Sequence, residues 1–167
     1  MTNSEKIVYV TGSAGKAHAV RFHDANRVHP ALKDYFGYCL FKAANRIRTM
    51  LDHALTPHQL QSIHFGILSI LNQGDVISQI HMGDEMGIDK ASMVKLIDKL
   101  ESLKLVERNG DPDDRRIKLL KITANGKKVF IQAKKLACGV ESELLKNLSA
   151  KEQELIKKLL PQLLAKD

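Results

Sequence analysis

The feature that most constrains the fold of this chain is a pair of helical segments joined by a three-residue turn. The first segment is predicted from Gln79 to Met86 and the second from Lys90 to about Leu103, with Gly87-Ile88-Asp89 between them. Asp89 suits the N-cap position, because its carboxylate can accept hydrogen bonds from the free amides of the next turn. Gly83 would let the second helix pack closely against the first. This pattern is typical of a helix-turn-helix.

Two runs with strand character follow the second helix. Val106-Glu107-Arg108 and the run from Ile117 to Ile122 bracket residues 109–116, in which Gly, Asp and Pro are abundant. Because these residue types favour turns, we predict a β-hairpin with a charged tip. A helix-turn-helix followed by such a hairpin is a winged helix.

Longer helical patterns flank this segment. Apolar residues recur at intervals of three and four from Ala31 to about Ala54, and a second helix is predicted from about Gln61 to residues 72–75. Downstream, helices are predicted from Ala124 to about Asn147 and from Lys151 to Ala165, the last capped by Ser149. The last helix has more apolar surface than a small domain easily covers, which predicts a second subunit against Leu155, Ile156, Leu159, Leu160, Leu163 and Leu164. The predicted fold class is therefore mainly α with a small β-hairpin wing.

Positive charge is concentrated in the predicted winged helix. The chain carries a formal net charge of +7, and residues 90–128 hold eleven Lys and Arg against six Asp and Glu. This stretch favours a polyanionic partner, although a solvated lysine-rich face produces the same pattern. The absence of Trp and an aromatic content of 5% argue against a single-strand-binding surface lined with rings.

Motifs of other function classes are missing from the sequence. There is no nucleophile elbow, phosphate-binding loop or metalloprotease pair, so we expect neither an enzyme nor a bound cofactor or metal. We find no run of 18 apolar residues and no signal peptide, which predicts a cytoplasmic protein without a membrane partner. Cys39 and Cys138 are too far apart in the sequence to suggest a disulfide framework.

Several runs resemble the MarR family of bacterial winged helix-turn-helix transcription regulators. They are residues 88–101, IDKASMVKLIDKLE; residues 105–108, LVER; residues 111–116, DPDDRR; and residues 122–126, ITANG. Residues 60–68 are similar to the second helix of the family, so that the resemblance covers about residues 31–165. The family usually has glycine where the recognition helix ends in a left-handed residue, and here Lys104 holds that place.

The resemblance implies a homodimer that reads a palindromic operator in double-stranded DNA. The first helix and the last two would form the dimer interface. Contacts to DNA are then expected from the exposed face of the recognition helix, which starts at Lys90, and from the wing. The expected residues are Lys90, Ala91, Ser92, Val94, Lys95, Lys99, Asp114, Arg115 and Arg116. Val94 would contact thymine methyl groups. Asp114 would orient Arg116 into the minor groove, although both arginines could merely pair with Asp111, Asp113 and Asp114.

The same resemblance implies a regulator, in our interpretation a repressor, that a small-molecule effector releases from DNA. The effector pocket is expected between the dimer helices and the DNA-binding lobes, with His53, His64, Phe65 and Phe130 as its candidate residues. The predicted organisation is a partly flexible N-terminal arm (1–30), a dimerisation helix (31–60), the winged helix-turn-helix lobe (61–123) and C-terminal dimerisation helices (124–167).

Three alternatives remain open at this point. Some relatives sense oxidants through a reactive cysteine early in the first helix, which makes Cys39 a candidate for the same role. Cysteine is also often buried as a small hydrophobe. His53, His58 and His64 could hold a metal, although Asp52 alone is little acidic company for them. A winged helix can also serve as a protein-interaction module without affinity for DNA.

Overall fold

The computed structural model describes residues 7–11, 17–21, 28–74, 76–112, 114 and 117–164. The chain divides into two compact units, Met1–Arg46 and Ile47–Asp167. Its described part is mainly helical, with two small antiparallel sheets, which confirms the predicted fold class. No helix among the described residues combines the length and apolar character needed to cross a membrane.

The first unit begins with a β-hairpin. Strand β1 (Ile7–Thr11) pairs antiparallel with strand β2 (Ala17–Arg21), so that Val8 lies opposite Val20. The sequence predicted only a loosely held arm with a β-prone run at Ile7–Val10. The second strand was missed because Ala and His dilute the β-branched residues that usually mark a strand.

Helix α1 (Phe36–Leu55) starts later than the predicted Ala31. The residues before it form a separate 3-10 helix, Pro30–Leu32, in which the Nδ1 of His29 accepts a hydrogen bond from the N–H of Ala31 at 3.2 Å. Pro30 fits the first position of this short helix because it lacks an N–H that would otherwise need a partner. The predicted start of α1 at Ala31 was therefore wrong, because Ala31 belongs to this separate 3-10 helix.

The second unit contains the remaining helices and a three-stranded sheet. Helix α2 is Ser62–Leu71, α3 is Gln79–Met86 and α4 is Lys90–Ser102. The strands β3 (Ile77–Ser78), β4 (Val106–Gly110) and β5 (Lys118–Ile122) lie in the order β3-β5-β4, with Val106 opposite Ile122. The hairpin β4–β5 confirms the predicted wing strands, whereas β3 has two residues and gives no periodic signal.

The core lies where α2, α4 and α5 (Ala124–Leu145) meet the sheet. Of the four residues of α4 predicted to bury together, Met93, Ile97 and Leu100 are fully buried and Leu96 is partly buried against the same cluster. The rings of Phe65 and Phe130 stack with their centroids 5.7 Å apart, which joins α2 to α5. The face of α4 opposite this core is left for solvent.

The C-terminal helix is shorter than predicted. Helix α6 (Ala150–Leu159) gives way to a 3-10 helix, Leu160–Leu164, and Ala165 lies outside the described residues. Pro161 explains the change, since it has no N–H for the α-helical hydrogen bond. The predicted cap is present, because Ser149 and Glu152 form a capping box at the start of α6.

Candidate nucleic-acid interface

Capping groups fix the start of α3 and both ends of the turn between α3 and α4. Ser78 caps α3 by accepting a hydrogen bond from the N–H of His81 at 3.2 Å, and Gly87 ends that helix in the left-handed conformation with φ of 62°. Asp89 caps α4, because its Oδ1 accepts a hydrogen bond from the N–H of Ser92 at 3.0 Å. Hydrogen bonds from Ser92 lower the pKa of Asp89. The predicted N-cap is thereby confirmed, and it orients the start of α4.

A glycine is required at position 83 by the turn itself. A Cβ built on Gly83 would lie 2.9 Å from the carbonyl oxygen of Ile88. The N–H of Ile88 in turn donates to the carbonyl oxygen of Gly83 at 2.8 Å. The sequence attributed this glycine to close packing of α4, but the close neighbour is the backbone of the turn.

The exposed face of α4 carries most of the residues predicted to contact DNA. Lys90, Ala91, Ser92 and Lys95 are exposed, and Val94 is half-buried. Lys99 is also half-buried, and its Nζ lies 3.5 Å from the Oε1 of Gln59, at the turn that precedes α2. Lys99 is therefore set toward the α1–α2 turn, whereas the four exposed residues face solvent.

The wing tip is closed by a short hydrogen-bond series. The N–H of Asp111 donates to the carbonyl oxygen of Ile117 at 3.1 Å, and the N–H of Ile117 donates to the carbonyl oxygen of Asp114 at 2.9 Å. The N–H of Asp114 in turn donates to the Oδ1 of Asp111 at 3.2 Å. Asp114 is exposed at this tip. Arg115, Arg116 and Asp113 lie outside the described residues, so the orientation of the two arginines stays a prediction.

The base of the wing depends on a left-handed residue and a close backbone contact. Lys104 has φ of 58°, as the resemblance implied for this position, and its N–H donates to the carbonyl oxygen of Glu101 at 2.8 Å. Thr123 caps α5 and donates from its Oγ1 to the carbonyl oxygen of Lys104 at 2.8 Å. These bonds tie the end of α4, the end of β5 and the start of α5 to one point.

Arg108 on β4 joins the wing to the exposed face of α4, a role that the sequence analysis did not assign. Its side chain forms ion pairs with Asp98 and Glu101 and is largely covered. Within the sequence it stood only as the last residue of the LVER run. The signal that could have found it is the i, i+3 spacing of two acids on an otherwise basic helix.

The residues predicted for an effector pocket separate into two places. His53 and His64 line an open groove of about 870 Å³, together with Asp52, Gln59, Lys95 and Lys99. Phe65 and Phe130 do not line this groove and instead stack on each other. The groove thus combines side chains of α1, the following turn, α2 and α4.

His64 is a buried histidine held in its neutral form. Its Nδ1 accepts a hydrogen bond from the N–H of Gln61 at 3.0 Å, which completes the cap of α2. Burial lowers the pKa of His64, the positive charge of Lys99 lowers it further, and the carboxylate of Asp52 opposes the shift. His64 therefore faces the groove as a neutral imidazole that serves the fold.

The thiol of Cys39 lies beside two carbonyl oxygens. Its Sγ is 3.3 Å from the oxygen of Lys33 and 3.8 Å from that of Leu32. Both oxygens are backbone acceptors within hydrogen-bond reach of this thiol. Within the described part of the chain, no cluster of three or more His, Cys, Asp and Glu side chains is arranged to hold a metal ion.

Comparison with known proteins places this architecture among DNA-binding regulators. Residues 58–117 match the model of the MarR family. A transcriptional repressor, CouR, solved with a 23-mer DNA duplex, is 26% identical with a TM-score of 0.75, and the match covers 83% of this chain and 99% of that chain. A probable transcriptional regulator from Pseudomonas aeruginosa is 25% identical with a TM-score of 0.71, covering 79% and 98%. A MarR variant from E. coli, solved with operator DNA, is 24% identical with a TM-score of 0.70, covering 83% and 100%.

Proposed function

Because this chain belongs to the MarR family of transcription regulators, we propose that it binds a palindromic DNA operator as a homodimer and represses transcription until a small-molecule effector releases it. The observation that carries this proposal is the exposed face of α4, which is capped by Asp89 and presents Lys90, Ser92 and Lys95. A helix with this charge and exposure suits the major groove of DNA. The complexes of CouR and of the E. coli MarR variant with DNA support it.

In this proposal the contacts divide by chemistry. Lys90 and Lys99 neutralise phosphates, Ser92 and Lys95 approach base edges, and Ala91 and Val94 offer apolar contacts to thymine methyl groups. On the wing, we propose that Asp114 orients Arg116 toward the minor groove and that Arg115 also contacts DNA. Phosphate contacts then supply affinity, whereas the contacts to bases supply sequence preference.

The proposed dimer is supported by two sets of exposed apolar side chains. One lies at the start of α1 and includes Phe36 and Phe41, and the other lies on α6 and the 3-10 helix after it, including Leu159 and Leu163. Soluble monomers rarely leave so many large apolar side chains in water. A second copy of the chain would cover such side chains, each set being the same in both copies.

Release by an effector is the second part of the proposal. The groove beside His53 and His64 borders both α1, a proposed dimer helix, and α4, the proposed recognition helix. A ligand there would favour one spacing of the two recognition helices in the dimer, whereas the operator would favour another. Each would then weaken the binding of the other, as linkage requires.

A titration of the purified protein with the DNA upstream of its own gene tests this function against its alternatives. We expect tighter binding to that DNA than to a scrambled duplex of equal length, both with and without reducing agent. A thiol sensor would lose DNA binding when the wild-type protein is oxidised, and Cys39→Ser would keep binding DNA under the same oxidant. Equal, weak binding to both duplexes at every salt concentration would favour a protein-interaction module.

The wing gives a prediction that separates geometry from charge. Arg116→Ala should cost about 1 to 3 kcal/mol of operator binding, more than Lys118→Ala, although each removes one positive charge. Lys118 lies in β5 behind the tip and acts only through the general field. Arginine also loses less solvation than lysine in a narrow groove.

The matching test is Asp114→Ala, which should weaken operator binding even though it removes a negative charge. The physical reason is that Arg116 would lose the partner that orients it. Fluorescence anisotropy with a labelled operator measures all three variants. Tighter binding by Asp114→Ala, or equal losses for Arg116→Ala and Lys118→Ala, would show that the wing contributes charge alone.

A further inference from the structure

From its position in β4, Arg108 contacts two other elements of the winged helix, α3 and α4. Its Nε donates to the Oε1 of Gln79 in α3 at 2.8 Å. Its Nη2 lies 2.7 Å from the Oδ1 of Asp98 and donates to the carbonyl oxygen of Val94 at 3.2 Å, both in α4. Its Nη1 binds the carboxylate of Glu101, which also accepts the backbone N–H of Arg108 at 2.9 Å.

Only arginine can satisfy this set of partners. The guanidinium offers five N–H donors in a rigid plane, whereas a lysine ammonium offers three donors from one point. The side chain of Arg108 is only 18% exposed, so its bonds are shielded from competing water. The arrangement fixes the wing, the start of α3 and the middle of α4 to one another.

The position of Asp98 gives this network a consequence for DNA. Its side chain is 57% exposed, three residues beyond Lys95 on the face that we propose to meet DNA. Unpaired, Asp98 and Glu101 would bring two negative charges beside the phosphates. The positive charge of Arg108, on the neighbouring strand β4, compensates these two negative charges and leaves the lysines of α4 available for DNA.

We propose that Arg108 is a positioning residue for sequence readout: it holds the recognition helix and the wing in the one relative orientation that lets both reach their grooves. This inference rests on the proposed DNA-binding function. It predicts that the geometry of the guanidinium serves preference for a sequence, and that its charge serves general affinity. The two contributions can be separated by keeping the charge and removing the geometry.

The test compares Arg108→Lys, Arg108→Met and wild type on two duplexes. One duplex is selected by the wild-type protein from a random pool, and the other is a scrambled version of the same composition. Arg48→Lys is the matched control, because Arg48 is 63% exposed and its Nη1 lies 4.0 Å from the Oδ2 of Asp52, one helical turn away. Circular dichroism and thermal melting establish that each variant is folded at the temperature of the titration.

Arg108→Lys should weaken binding to the selected duplex at least about tenfold, the factor that corresponds to 1.4 kcal/mol, and leave binding to the scrambled duplex unchanged within about twofold. Arg108→Met should weaken binding to both duplexes, and adding Asp98→Asn should restore binding to the scrambled duplex alone. Arg48→Lys should leave both affinities unchanged.

Two results would overturn this role. Equal affinities of Arg108→Lys and wild type for the selected duplex would show that geometry at this residue is unimportant. Equal losses of Arg108→Lys on both duplexes, with the variant folded, would show that the guanidinium geometry serves general affinity and not sequence preference. A wild-type protein that selects no sequence from the pool would overturn the proposed function itself, and with it this inference.

Discussion

Replacing Leu159 and Leu163 by aspartate is expected to convert the proposed dimer into a monomeric or unfolded species. These side chains are 45% and 59% exposed in the single chain, and burial of a leucine contributes about 1.5 to 3 kcal/mol. In a symmetric dimer each substitution occurs in both subunits, and an unpaired carboxylate in an apolar interface adds a large desolvation cost. Sedimentation velocity at micromolar concentration measures the change.

The matched control places two aspartates on other exposed apolar residues. Val76 and Ile80 are 67% and 61% exposed and belong to the winged helix, away from α6 in the sequence. Val76→Asp with Ile80→Asp should leave the sedimentation coefficient at the wild-type value. A wild-type protein that sediments as a folded monomer at micromolar concentration would contradict the proposed interface.

Gly126→Ala is expected to destabilise the fold by about 3 kcal/mol or more, the upper end of the cost of overpacking. A Cβ at this position would lie 2.1 Å from the carbonyl oxygen of Leu105 and 2.8 Å from the Cγ1 of Ile122. The first of these neighbours is backbone, and the same oxygen accepts the N–H of Thr123 at 3.0 Å. Relief of the clash must therefore separate α5 from the base of the wing.

The same helix offers the control. A Cβ on Gly139 meets no atom within 4 Å, so Gly139→Ala should stabilise α5 by about 0.5 to 1 kcal/mol through its better helix propensity. Urea unfolding at one protein concentration measures both variants, since the stability of the proposed dimer would depend on concentration. Similar free energies of unfolding for the two variants would contradict the close contact at Gly126.

Features encoded by neighbouring residues were predictable from the sequence. The caps at Asp89 and Ser149 and the buried stripe of α4 depend on residues within one or two helical turns, so their periodicity and side-chain chemistry are visible in the chain itself. Pro161 was equally visible, and the helix predicted through it to Ala165 ignored the missing N–H.

Features that depend on distant residues were not predictable in this way. Strand β3 is too short for a pattern and exists because Ile77 and Ser78 pair with β5, more than forty positions later in the chain. Arg108 contacts Gln79 only after the hairpin folds back, so the contact cannot be predicted from the sequence around either residue. For the same reason the histidines at the groove could be named as candidates, but their separation from Phe65 and Phe130 could not.

The central claim, that this protein reads palindromic DNA as a dimer, is tested most directly by the mass of its complex with a selected duplex. Analytical ultracentrifugation of the wild-type protein with that duplex should give two chains per duplex. Deletion of one half-site should weaken binding at least about tenfold, which corresponds to 1.4 kcal/mol. One chain per duplex, or equal affinity for the intact and the half-deleted site, would contradict the account.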